Sequence, residues 1–65
     1  MKQRALRWII KHSRKIVEAA KRQEPLLIKE SEYDPAIEPE LINLLFLVNE
    51  IASVRKEAAG IIVTF

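Results

Sequence analysis

Few side chains in this 65-residue sequence are of the types that do chemistry. His12 and Ser13 are adjacent, and neighbouring residues of a helix point about 100° apart, so they cannot form a nucleophile–base pair. His12 is the single histidine and the sequence has no cysteine, so a zinc site would need several carboxylates around one imidazole. Gly60 is the only glycine, which argues against a phosphate-binding loop. We therefore predict a non-catalytic protein with no metal site and no cofactor.

Acidic residues gather in one segment near the middle of the chain. They are Glu30, Glu32, Asp34, Glu38 and Glu40. This segment lacks the glycine and the 12-residue ligand pattern of an EF-hand loop. We interpret it as a solvated connector or as a partner for basic residues elsewhere in the chain.

Cations near the N-terminus are the best candidates for a binding function. Residues 1–22 contain eight Lys or Arg against one Glu, whereas residues 23–65 contain three against eight acidic residues. Our candidate polyanion-binding residues are Arg4, Arg7, Lys11, Arg14 and Lys15. Such cations attract phosphate groups, but no base-reading or stacking side chain accompanies them, so nucleic-acid binding would be indifferent to sequence. The alternative is a face that is solvated or docks onto the chain's own acidic half.

A helix over about 3–23 must position these cations. At about 100° per residue, its apolar side chains cover roughly 200°, which is wider than the ~100° stripe of an ordinary surface helix. A basic helix with Trp8 at its apolar edge would also suit a membrane surface. We do not favour that alternative, because the acidic second half of the chain and its apolar second helix compete for the same apolar face.

The rest of the chain predicts a connector over 24–38, a helix over about 39–59 and a strand over 61–65. Proline at position 25 ends the first helix, and the apolar run 26–29 is either a short strand or a turn of helix. Gly60 is a natural residue to end the second helix. The β-branched run after it predicts a strand, which would pair with 26–29 in a minimal β-α-β unit if both are strands.

The predicted second helix is apolar around nearly its whole circumference. A chain this short can scarcely surround such a helix, and small domains without disulfides or metals commonly gain stability by association. The predicted oligomer interface consists of Leu41, Leu44, Leu45, Val48 and Ile51.

Together these features predict one mainly α domain, completed by homo-oligomerisation. We expect a cytoplasmic protein–protein interaction module, acting as a small regulator or inhibitor, whose partners are copies of itself or another protein. Nucleic-acid binding through the basic face is the first alternative, and membrane-surface binding is the second.

Overall fold

The computed structural model describes residues 2–65. These residues form three α-helices and a three-stranded sheet: α1 (Lys2–Lys11), α2 (Ser13–Arg22), β1 (Leu26–Lys29), α3 (Glu38–Leu45), β2 (Ser53–Glu57) and β3 (Gly60–Thr64). Two 3₁₀ turns, Glu30–Glu32 and Pro35–Ile37, occupy the connector between β1 and α3. The prediction of a mainly α fold with two long helices and one C-terminal strand is therefore wrong.

The helix predicted over 3–23 is interrupted at His12. The Nδ1 atom of His12 lies 2.8 Å from the Trp8 carbonyl oxygen, and its ring stacks on the Trp8 ring with 4.0 Å between centroids. A side chain that bonds to the backbone of its own helix disturbs the helical geometry locally. One helical hydrogen bond ends at the break and another begins there, because the His12 N–H donates to Trp8 and the Ile16 N–H donates to His12. Thus α1 and α2 are consecutive parts of one interrupted helix.

Only the first third of the helix predicted over 39–59 is helical in the structure. Helix α3 begins at Glu38, has Pro39 in its first turn and ends at Leu45, and β2 occupies 53–57. β2 pairs antiparallel with β3, with Val54 opposite Val63. Pairing with a partner strand outweighs the weak helical preference of this segment, because propensity is easily overridden by tertiary contacts.

Gly60 begins β3 rather than ending a helix. A two-residue turn, 58–59, joins β2 to β3. Gly60 has φ +149°, and a Cβ at this position would lie 2.0 Å from the Ile28 carbonyl oxygen on β1. The glycine is therefore required by the close approach of two strands and by its own backbone conformation.

The sheet has the order β1-β3-β2 and is antiparallel throughout. Residues 26–29 do form a strand that pairs with β3, with Ile28 opposite Ile61. The expected β-α-β unit with its parallel crossover is absent from residues 2–65, because β2 and its hairpin return the chain antiparallel. β3 is the central strand, bonded on both edges.

The core lies between the helices and one face of the sheet. Its buried residues are Ala5, Ile16, Ile28, Tyr33, Ile37, Leu41, Leu45, Ile51, Val54, Ile61 and Val63. The sheet contributes Ile28, Ile61, Val63 and Val54, which share a face by their register. This core fixes which sides of α1 and α2 remain open.

Candidate functional site

One side of the α1–α2 helix pair, the connector-facing side, packs against the acidic connector. Arg4 forms an ion pair with Asp34, and the Lys15 Nζ lies 2.8 Å from Glu32 Oε2. Between them, the Trp8 Nε1 donates a hydrogen bond of 2.8 Å to the Glu32 carbonyl oxygen. Two of the five candidate polyanion-binding cations, Arg4 and Lys15, are therefore already paired within the chain.

The contacts of the connector carboxylates Glu32 and Asp34 lower their pKa values and so favour their charged forms. The hydrogen bond from Lys15, and next the one from the Lys29 backbone N–H, lower the pKa of Glu32. The Ala36 backbone N–H, and next Arg4, lower the pKa of Asp34. At neutral pH both acids are ionised, so the connector neutralises this side of the helix pair.

The other three candidate cations are exposed, and two of them, Arg7 and Lys11, line a groove with connector residues that include Glu32 and Asp34. Among the side chains that the structure describes, Arg7, Lys11 and Arg14 form no ion pair with an acid. The nearest aromatic ring, that of Trp8, is half-buried, stacked on His12 and bonded to the connector. It is therefore not a free platform for stacking a base.

The predicted oligomer interface is divided between the interior and the surface. Leu41, Leu45 and Ile51 lie in the chain's own core, where they are at most 9 % exposed. Leu44 and Val48 are half-buried against that core and retain some exposed surface. Only the last two can contact a partner without unfolding the monomer.

Several large apolar side chains that we did not single out from the sequence are exposed. Leu6, Ile10 and Val17 on the helix pair are 48 %, 64 % and 49 % exposed. Phe46 and Leu47, just after α3, are 55 % and 75 % exposed. The signal for the first group was the ~200° apolar sector itself, since a small core covers only part of so wide a face. The exposure of Phe46 and Leu47 was not predictable in this way, because we expected the second helix to continue past Leu45 and to be buried all round.

A polar cluster joins the connector, α3 and β2. The Tyr33 hydroxyl donates a 2.6 Å hydrogen bond to Glu38 Oε2, and the Lys56 Nζ lies 3.5 Å from that oxygen and 3.4 Å from Glu30 Oε2. Burial, followed by the hydrogen bond to Glu38, raises the pKa of Tyr33 to about 12. At neutral pH the phenol is a hydrogen-bond donor, which suits a structural tie between elements.

Within residues 2–65, no three His, Asp or Glu side chains converge in an arrangement that could hold a metal ion. No helix in this range has the length and apolar content needed to cross a bilayer. Comparisons with protein-family models, with curated proteins and with solved structures gave no match. The exposed apolar and basic surfaces are thus the features from which a function can be argued.

Proposed function

We propose that this protein is a small non-catalytic interaction module that self-associates through the α3 end patch, defined as Leu44, Phe46 and Leu47. The observation that carries the proposal is the exposure of Phe46 and Leu47, two adjacent large apolar side chains. Leu44 lines a groove with Leu47, which extends the apolar surface onto α3 itself. We also propose a cytoplasmic location, since a chain without cysteine needs no oxidising compartment.

A second copy is the occupant that best fits this patch. A chain of this size buries only about 60 % of its unfolded surface and gains from association. In a two-fold symmetric dimer the same patch of both copies forms the interface, so Phe46 and Leu47 of each copy are covered. Burial of a large apolar side chain contributes about 1.5–3 kcal/mol. Phe46 and Leu47 are 55 % and 75 % exposed, so four such side chains contribute only part of this energy against an entropic cost of association of roughly 4 kcal/mol or more, which fits a weak dimer.

Sedimentation velocity of the purified full chain over a range of concentrations tests this proposal. We expect a concentration-dependent dimer that Phe46→Ser together with Leu47→Ser converts to a folded monomer. Ile10→Ser is the matched control, because Ile10 is similarly exposed but lies on the helix pair. A wild-type monomer at all concentrations up to millimolar, or equal dissociation by the control, would contradict the proposal.

Sequence-indifferent nucleic-acid binding is the second candidate function, and Arg7, Lys11 and Arg14 favour it. These exposed cations have no acidic partner among the described side chains and would contact phosphates directly. Fluorescence anisotropy with unrelated DNA duplexes at two salt concentrations tests this candidate. Arg7→Glu with Arg14→Glu should abolish binding, and affinity should fall steeply with salt. No binding at low salt removes this candidate.

A further inference from the structure

The outward side of the helix pair carries a row of small and apolar residues with alternating spacings of four and three. The row, which we call the seam, is Leu6, Ile10, Ser13, Val17 and Ala20. All of its members except Ala20 are exposed, and Ala20 is half-buried. This spacing is the one by which a helix contacts another helix along a narrow line, with knobs packing into holes. The core of this chain leaves that line uncovered.

A row of cations runs beside the seam at intervals of seven. Arg7, Arg14 and Lys21 each follow a seam residue, so they flank the same edge of the seam. All three are exposed and unpaired among the described side chains. On the opposite edge Ile9 and Ile16 turn into the core. Residues that flank a helical seam select the partner by charge. On this edge of the seam all three flanking residues are positively charged.

The break at His12 falls within the seam, so Leu6 and Ile10 lie on α1 while Ser13, Val17 and Ala20 lie on α2. The His12 N–H donates to the Trp8 carbonyl (3.0 Å) at the end of α1, and the Ile16 N–H donates to the His12 carbonyl (3.3 Å) at the start of α2. The stacked Trp8 and His12 rings and the bond from Trp8 to Glu32 hold this region against the connector.

The C-terminal half of the seam, on α2, borders a groove. It is lined by Ile16, Val17, Ala20 and Lys21 of α2 together with Val48 and Glu50. The groove gives an incoming helix a second apolar contact at Val48.

We propose that this seam binds an amphipathic helix of another protein, with a narrow apolar stripe and acidic residues along one flank. A second copy of this chain is disfavoured here, because antiparallel pairing of two seams places Arg7, Arg14 and Lys21 against their own kind. The seam shares no residue with the α3 end patch. This inference therefore goes beyond self-association and stands or fails separately from it.

The full chain can be tested with two labelled synthetic helical peptides of three heptads that share one leucine seam. One peptide carries Glu at its flanking positions and the other carries Lys, and both are used below the concentration at which they self-associate. We expect fluorescence polarisation to show binding of the Glu peptide and at least tenfold weaker binding of the Lys peptide. Binding should weaken as salt is raised.

Matched variants sharpen the test, and circular dichroism confirms that each is folded. Arg7→Glu with Arg14→Glu should reverse the preference toward the Lys peptide, whereas Lys11→Glu, an exposed cation away from the seam, should leave it within about twofold. Ile10→Ser should weaken binding of the Glu peptide at least fivefold. Phe46→Ser with Leu47→Ser should leave peptide binding unchanged, which separates this surface from self-association.

Several results would overturn the proposal. One is no binding of the Glu peptide at high micromolar concentration, and another is equal binding of both peptides. Binding of duplex DNA that exceeds peptide binding and does not respond to Ile10→Ser would assign the cations to nucleic acid. Binding to vesicles of anionic phospholipid without binding of the Glu peptide would assign the seam to a membrane surface.

Discussion

The two sides of the α1–α2 helix pair are built from the same residue types but differ in what the rest of the chain supplies to them. On the connector-facing side Arg4, Trp8 and Lys15 each have a partner in the connector. Arg7, which borders the connector groove, and Arg14 form no ion pair among the described side chains, and Leu6, Ile10 and Val17 are exposed on the outward side. The comparison shows that a basic face is not one functional unit. Its cations stabilise the monomer where an acid is within reach and remain available to a partner where none is.

The largest expected loss of stability comes from disturbing the sheet, against which the inner residues of the helix pair pack. Gly60→Ala places a Cβ where the Ile28 carbonyl oxygen lies, at a φ that L side chains rarely adopt. Strain of this kind and overpacking cost about 1–3 kcal/mol each, which is a large share of the stability of a small domain. We expect a shift of the urea midpoint large enough to leave the variant partly unfolded at 25 °C. A Gly60→Ala variant with wild-type stability would show that the strand approach is looser than the geometry indicates.

Ile16 and Val17 are neighbours on α2 and test the inner and outward sides directly. Ile16 is 6 % exposed and lies in the core, whereas Val17 is about half exposed. Ile16→Ala should lower the free energy of unfolding by about 2–4 kcal/mol because it leaves a cavity. Val17→Ala should lower it by less than about 1 kcal/mol. Chemical denaturation of both variants gives the ratio, and similar losses would mean that Val17 is covered in solution.

High pH should loosen the connector that covers the connector-facing side. The pKa of Tyr33 in the folded protein is about 12, against 10.0 for an ordinary tyrosine. The stabilisation is fully present below pH 10 and is lost as the pH rises toward 12, because the unfolded chain releases the proton first. Tyr33→Phe should remove that step from a plot of unfolding free energy against pH. Persistence of the step in the variant would assign it to other groups.

Low pH should give a smaller effect on the same side. The folded-state pKa values of Glu32 and Asp34 lie below their ordinary values, so their contributions are present above about pH 4.5 and are lost as the pH falls through the lowered values. Glu32→Gln should reduce the acid sensitivity of unfolding, because it removes one of these two groups. Arg14→Gln on the outward side should leave the acid limb unchanged, and an equal change in both variants would contradict the distinction between the sides.

The first helical region was largely predictable because its determinants are local. The spacing of apolar and basic residues over 3–23 specifies a helix, and proline at 25 limits it. The structure places α1 and α2 within 2–22 and adds a break at His12 that periodicity does not report. The break depends on one side chain bonding to Trp8, a choice that local patterning leaves open.

The segment after Leu45 was not predictable in the same way. Residues 53–57 have few strand-forming residues, and an apolar run followed by charged residues and alanines suits a helix equally well. β2 exists because Val54 and Lys56 pair with Val63 and Ile61, and because the Ala52 N–H bonds to Thr64. Those partners lie further along the chain, so they contribute nothing to the local preference of 53–57.

The sequence by itself determined the N-terminal helical region, the separation of basic and acidic halves and the excess of apolar side chains over what a small core can cover. Each of these depends on residue type and short-range spacing. Tertiary structure alone decided that Leu41, Leu45 and Ile51 fill the core of the monomer while Leu6, Ile10 and Leu47 remain exposed. It also decided which cations meet the connector. These outcomes depend on non-local pairing of three strands and on the direction in which the connector crosses the helix pair, and no local pattern encodes either of them.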